Sequence, residues 1–225
     1  MVFIDGQNAV KATQALYGRL YSHPLLLARR TLAGRRLCGV RYYSGIHDPR
    51  ANPDQNAVAQ RRHALMRKVG VTVVERPLRY RWEWGFDPDR LPDPYEHRGS
   101  TRSVKVAPYQ RAREKGIDLT LGLDLMEFAL DDRMDVAVIV SSDTDLCEAA
   151  RAVHSLTGRK KRVSVEAAIF TSRKVKLQHY DFTQRLNGDD FDECKDSFNY
   201  RDALDPMMVE MFKATCAPLQ PERAV

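Results

Sequence analysis

Three aspartates in this chain stand directly after short apolar runs. Asp5 follows Val2-Phe3-Ile4; Asp143 and Asp145, within Ser141-Ser142-Asp143-Thr144-Asp145, follow Val136 to Val140. Open parallel sheets bind ligands beyond the carboxyl ends of their strands, where the strand order reverses. If those two strands are neighbours, the three acids converge there. Asp118 is a fourth candidate. On the helix it opens, positions 118, 121, 122, 125 and 129 share one face, which puts Asp118 at the sheet-facing end of an apolar stripe. Asp124 lies well round the same helix and reads as peripheral. Singly, Asp118 and Asp145 read as helix caps and Asp5-Gly6 as a turn. Together, four acids in one place would repel one another and raise one another's pKa values. A bound cation removes that cost. Aspartates with neither His nor Cys favour a hard ion, Mg²⁺ or Mn²⁺, held through oxygen and retained water.

The elements that must position these residues alternate. Val2 to Ile4 reads as a strand, followed by helical sequence around Ser22-His23-Pro24, where Pro24 suits a first helical turn. Arg36 to Ser44 reads as a second strand, Gln55 to Val69 as an amphipathic helix, and β-branched Val71 to Val74 as a third strand. After an interruption come a helix over 118–130, a buried strand over 136–140, a helix over 145–156 and a fifth strand over 163–170; a short helix is expected over 206–215. This βαβ alternation predicts an α/β fold with a parallel sheet between layers of helices. The interruption, about residues 77–114, is rich in proline. It opens with Leu78, Tyr80, Trp82, Trp84 and Phe86 in strict alternation, which predicts a half-buried hairpin arm, its other arm placed at Ser103 to Ala107.

Composition narrows the class further. The chain has 225 residues, 43% of them hydrophobic, enough for a packed core, which excludes wholesale disorder and fibrous repeats. No apolar run approaches the ~20 residues that cross a bilayer, and an acid at position 5 comes too early for a signal peptide. A soluble, cytoplasmic protein is the expectation. Cys38, Cys147, Cys194 and Cys216 include no CxxC pair, so neither a zinc site nor a disulfide framework is indicated. Residues 1–180 carry a net charge of +11 and residues 181–225 a net charge of −5. A basic body with an acidic tail suggests a polyanionic partner. The expected organisation is one domain over 1–187, with the 77–114 insertion, and an acidic extension over 188–225 packed on it or trailing it.

Several of these segments also carry a resemblance. Ile4-Asp5-Gly6-Gln7-Asn8 resembles the "DGxN" opening of the NYN-domain family of PIN-like nucleases. Lys115-Gly116-Ile117-Asp118 resembles that family's "KGxD" helix start, and Val140-Ser141-Ser142-Asp143-Thr144-Asp145-Leu146 its "SGDSDF" segment, with Ser142 for Gly and Leu146 for Phe. His179-Tyr180-Asp181-Phe182 echoes a later "aDxF" element. The resemblance implies a three-layer PIN-like fold with strand order 3-2-1-4-5 and metal-dependent cleavage of RNA. Asp5, Asp118, Asp143 and Asp145 match the family's acidic metal site, and Asn8 its polar partner. On this reading Asp5 and Asp143 form the shared centre, Asp118 and Asp145 flank it, and Asn8 orients a phosphate oxygen or bound water. One ion or two would activate water and stabilise the leaving oxygen. The alternative is a PIN-like RNA-binding or regulatory module with little or no cleavage. A haloacid-dehalogenase-type phosphatase would need an acid where Gln7 stands, and a Toprim-like site an early glutamate.

Substrate contacts are expected from Arg98, Arg102, Lys105, Arg111, Arg113 and Lys115, which run into the Asp118 motif with only Glu114 opposing them. Arg159-Lys160-Lys161-Arg162 falls at the other end of the sheet and reads as solubilising. Tyr80, Trp82, Trp84 and Phe86 could stack bases, although spacing by two favours a packed core or interface face. A homodimer or a regulatory protein partner remains open.

Overall fold

The computed structural model describes residues 1–18, 21–85, 107–157, 162–170, 175–201 and 206–215. Strand β1 (Val2–Asp5) is buried along its whole length, as a strand with neighbours on both edges and helices over both faces must be. Alternation divides its side chains: Val2 and Ile4 enter one apolar cluster and Phe3 the other. Asp5 ends the strand and caps helix α1 (Gly6–Tyr17), its Oδ1 accepting from the Asn8 N–H at 3.0 Å. Gly6 is required at this junction, since a Cβ there would lie 2.6 Å from both the Tyr42 hydroxyl and the Tyr43 carbonyl oxygen.

The next elements are β2 (Tyr21–Ser22), α2 (Pro24–Arg30), β3 (Val40–Ile46), α3 (Pro53–Lys68) and β4 (Val71–Pro77). Prolines open α2 and α3, whose caps are His23 and Asn52. Then come β5 (Arg79–Gly85), β6 (Ala107–Arg113), α4 (Ile117–Leu130), β7 (Val136–Val140), α5 (Leu146–Thr157), β8 (Ser164–Phe170) and β9 (Phe182–Leu186), followed by α6 (Gly188–Cys194), β10 (Lys195–Asp196) and α7 (Pro206–Thr215). Six strands form one parallel sheet in the order β4-β3-β1-β7-β8-β9. The first five are the expected 3-2-1-4-5; β9 is an added sixth.

That sixth strand has a weak apolar signature, with only Leu186 buried. It is held by Asp181, whose carboxylate accepts from the Val165 N–H at 2.9 Å and the Ser164 hydroxyl at 3.2 Å on β8 and pairs with His154 and Arg162. One face of the sheet packs against side chains of α1, α2, α3, α6 and α7, and the other against α4 and α5. Phe191, Cys194, Tyr200 and Phe212, all beyond residue 187, are buried in the first cluster. Chain order reverses between β1 and β7, so their carboxyl ends frame the crevice.

The hairpin differs from expectation in two respects. Its second arm is β6 over 107–113, pairing Arg79 with Arg113 and Gly85 with Ala107, further along than the expected 103–107. Both strands of a two-stranded ribbon are edges, so Pro108 does not interrupt it. Its aromatic face is half-buried only at Tyr80: Trp82 is 69% exposed and Trp84 76% exposed, since no second layer among the described residues covers the ribbon where they stand. Residues 98, 102 and 105, expected to bind substrate, lie outside the described residues, as do 159–161, Phe86 and Cys216. Cys38, Cys147 and Cys194 are free thiols.

Candidate active site at the carboxyl edge of the sheet

The junction of β1 with α1 places the first acid. Asp5 is only 4% exposed, and both its oxygens are engaged: Oδ1 by the Asn8 N–H, Oδ2 by the Ser141 hydroxyl at 3.1 Å. Ser141, itself buried, also accepts from the Asp143 N–H at 3.1 Å. One hydroxyl thus ties the end of β1 to the loop after β7. Asp143 Oδ1 then accepts from the Asp145 N–H at 2.9 Å, an Asx turn that sends the chain into α5. Asn8 spends its side-chain carbonyl on Ser142, accepting from its N–H at 2.9 Å and its hydroxyl at 3.1 Å. It therefore positions the loop that carries Asp143, beside the role expected of it in orienting a phosphate or water oxygen.

Asp118 enters from the opposite side, in the first turn of α4. Its helix begins after Gly116, at φ 81°, a left-handed conformation that glycine adopts without strain. The cap is therefore not Asp118, and its carboxylate has no hydrogen-bond partner among the described residues. Asp5, Asp118 and Asp143 line one polar pocket of about 150 Å³ together with Gln7, Asn8, Lys11, Glu114, Gly116 and Ile117. Asp145 does not line it. The Asx turn leaves Asp145 exposed at the start of α5, on an adjoining groove that it shares with Asp118.

Glu114 is a fourth pocket acid that sequence reasoning counted only as a counter-charge. Its Oε1 accepts from the Gly45 N–H at 2.6 Å, and Gly45 admits it because any Cβ there would collide with Glu114 and Leu78. Lys11 was also missed. Its ammonium donates to Gln7 Oε1 at 2.6 Å and brings one positive charge to the pocket. Helical spacing is the signal for it, since Lys11 follows Asn8 by three and Gln7 by four on α1.

The electrostatics follow from burial and crowding. Burial raises the pKa of Asp5 most; the bonds from Asn8 and Ser141 oppose the rise and neighbouring Asp143 adds to it. Burial likewise raises Asp118, and Asp5, Asp143 and Asp145 push it higher. Glu114 is raised by burial against the Gly45 hydrogen bond, with Asp5 and Asp118 adding to the rise and Lys11 opposing it. A pocket of mutually repelling carboxylates favours protons or cations. Its donors are oxygens alone, the chemistry a hard divalent ion takes. Among the described residues no three of His, Cys, Asp and Glu are grouped closely enough to cage an ion. The donor set therefore fits an ion that keeps several of its waters and takes only one or two carboxylates directly, as Mg²⁺ does.

The remaining candidates divide. Arg111 and Arg113 are exposed on β6, each paired with Glu83 on β5, and Lys115 is exposed beside the pocket. Asp124 lies outside the pocket, its Oδ2 accepting from Arg41 and from the Tyr43 hydroxyl, both at 2.7 Å. Asp181, the acid of the later motif, serves β9 instead.

Residues 1–184 match the NYN domain model. The chain belongs to the NYN-domain family, whose members are generally nucleases. It is similar in structure to a protein of unknown function from Vibrio parahaemolyticus solved by crystallography, with 17% identity, a TM-score of 0.49, and coverage of 84% of this chain and 92% of that one. No curated protein matches the sequence. No helix among the described residues is long and apolar enough to cross a membrane.

Proposed function

We propose that this protein hydrolyses RNA phosphodiester bonds with Mg²⁺ or Mn²⁺ bound at the pocket of Asp5, Glu114, Asp118 and Asp143. The observation that carries the reading is this convergence: acids from three separate stretches of chain are held together at the strand-order reversal with one lysine against them. A protein gains no stability from such repulsion, so the arrangement is accounted for by what it binds. Asp5, Asp118, Asp143 and Glu114 would hold the ion between them, one or two directly and the others through its waters, and Asp145, on the adjoining groove, would act through water.

A divalent ion held there supplies charge stabilisation to the phosphoryl and leaving oxygens and lowers the pKa of bound water. The chain's own residues do the placing. Ser141 and Asn8 fix the Asp143 loop against β1 and α1, so the acids need not reorganise when substrate arrives. Lys11 offers the scissile phosphate a cation opposite the carboxylates. Water adds to phosphorus and the leaving oxygen departs with a proton.

The test is purified full-length protein on end-labelled single-stranded RNA with Mg²⁺, with Mn²⁺, and with EDTA. Cleavage is expected with either ion, lost in EDTA and restored by excess metal. RNA bound but uncut under every metal condition would reject the nuclease reading in favour of an RNA-binding module.

A further inference from the structure

The β5–β6 ribbon rises from the rim of the acid pocket. Leu78, just before β5, donates its N–H to the Ile46 carbonyl at 2.9 Å, and the Tyr80 hydroxyl meets His47 Nδ1 at 2.9 Å. At the other foot, the residue following β6 is Glu114, which lines the pocket and holds the Gly45 N–H. The ribbon is thus anchored at both feet beside the site. Alternation puts Tyr80, Trp82 and Trp84 on one of its faces and Arg79, Arg81 and Glu83 on the other.

Trp82 and Trp84 are the only tryptophans of the chain, and both are exposed. They follow one another on one face of a strand, so their Cα atoms are ~6.8 Å apart. That separation admits one flat base between two rings, since stacked bases are spaced ~3.4 Å. The ribbon also carries Arg79, Arg81, Arg111 and Arg113 against a single acid, Glu83. Arg111 and Arg113 share that glutamate, and among the described residues Arg79 and Arg81 have no acidic partner. In register, Arg79 stands opposite Arg113 and Arg81 opposite Arg111, so all four arginines are on the face away from the rings. A single strand crossing the edge of this thin ribbon meets exposed rings for its bases on one side and net positive charge for its phosphates on the other.

We propose that the ribbon is a docking arm for single-stranded RNA, with a base stacked on Trp82 and Trp84 and the chain led from there to the acid pocket. This deepens the nuclease reading and rests on it for the direction of the strand. Counted from Glu114, the register partners of Trp82 and Trp84, Gln110 and Pro108, lie ~13 and ~20 Å along β6. The arm therefore grips nucleotides a few positions from the scissile bond. Paired bases cannot enter between the rings, so duplex RNA is disfavoured.

Because every tryptophan of the protein stands on this arm, selectively excited tryptophan emission reports on the arm alone. The experiment titrates full-length protein in EDTA with a short oligouridylate, and in parallel with an RNA duplex of the same length. Saturable quenching by the single strand with little by the duplex is expected. The double variant Trp82→Ala/Trp84→Ala should bind the single strand at least ~10-fold more weakly, with an unchanged circular dichroism spectrum because both rings are exposed. RNA binding without any change in tryptophan emission, or an unaltered affinity in the double variant, would overturn the proposal. So would a concentration-dependent emission shift without RNA that accompanies a dimer lost in the double variant, since the occupant would then be a second copy of the chain. EDTA separates the two readings: quenching without cleavage on adding metal refutes only the nuclease, and cleavage without quenching refutes only the arm.

Discussion

Asp118 and Asp124 belong to one helix, α4, and answer to opposite electrostatic conditions. Asp124 accepts from Arg41, whose guanidinium also lies over the Phe128 ring at 4.8 Å, and from the Tyr43 hydroxyl. Asp118, nearer the sheet's carboxyl edge, faces Asp5, Asp143 and Asp145. The same division runs through the molecule. Glu75 is paired with Arg67 and His63, Asp181 with His154 and Arg162, and both have pKa values held below the ordinary carboxylate range despite some burial. Asp5, Glu114 and Asp118 are all raised. Elevation alone does not separate the sets, because Asp196 is also raised by burial. Neutral hydrogen bonds do not separate them either, since Asp5 accepts two, as Asp196 does; an arginine does, Arg62 lying 3.8 Å from Asp196. The chain supplies arginine freely to acids that build the fold and places a single lysine among the acids of the pocket. Structural acids are neutralised by the chain; on the proposed function the pocket acids are left for a ligand to neutralise.

The largest test of this contrast is a pair of substitutions. Asp143→Asn should lower RNA cleavage more than ~100-fold with the fold intact, since it removes pocket charge at constant side-chain size. Asp124→Asn should do the reverse: near-normal cleavage per folded molecule and a stability loss of about 1–3 kcal/mol, from weakening a charge-assisted hydrogen bond to Arg41. Cleavage rates with chemical denaturation of both variants decide it. Comparable loss of cleavage in the two would place Asp124 among the site acids and end the distinction.

Ser141→Ala probes the connection between the acids. Its hydroxyl joins Asp5 to the Asp143 loop, so loss should loosen the site without removing a carboxylate. A ~10–100-fold fall in activity is expected, partly recovered at high Mn²⁺ if the defect lies in ion affinity. Unchanged activity at limiting metal would show that the loop is held by Asn8 alone.

How much of this was legible in the sequence follows from the range of each interaction. Asp5, Asp118 and Asp143 could be placed because strand ends and helix phase are local, and a βαβ alternation fixes which sheet edge they share. The order 3-2-1-4-5 came with the motif resemblance. Glu114 could not be placed the same way: its position depends on a ribbon foot meeting Gly45, a contact between segments far apart in the chain. Strand β9 escaped because an edge strand held by Asp181 needs little apolar pattern of its own. The alternation of Tyr80, Trp82 and Trp84 correctly signalled a strand, but period two does not say whether anything covers the face. Asp145 stands apart from the pocket because of the Asx turn after Asp143, a local turn that strand ends and helix phase do not reveal.

The smallest expected effect is the most specific to crowding. Raised carboxylate pKa values mean that the folded state holds these protons more tightly than the unfolded chain. The stabilisation is full below the ordinary carboxylate range and is lost as pH rises through the raised values. At neutral pH without metal, the pocket therefore costs stability, in the opposite sense to Glu75 and Asp181, whose contributions are lost as pH falls. Asp118→Asn removes one repelling charge and leaves no charge-assisted bond broken, so it should raise the melting temperature in EDTA by a few degrees, with about 1 kcal/mol corresponding to ~2–4 °C in a chain of this size. Added Mg²⁺ should raise the wild-type melting temperature and narrow the difference between the two proteins. Differential scanning fluorimetry at acidic and neutral pH, with and without Mg²⁺, reads all of this at once. If Asp118→Asn melts below wild type in EDTA at neutral pH, its carboxylate is a structural acid like Asp124, and the pocket has lost one of its ligands.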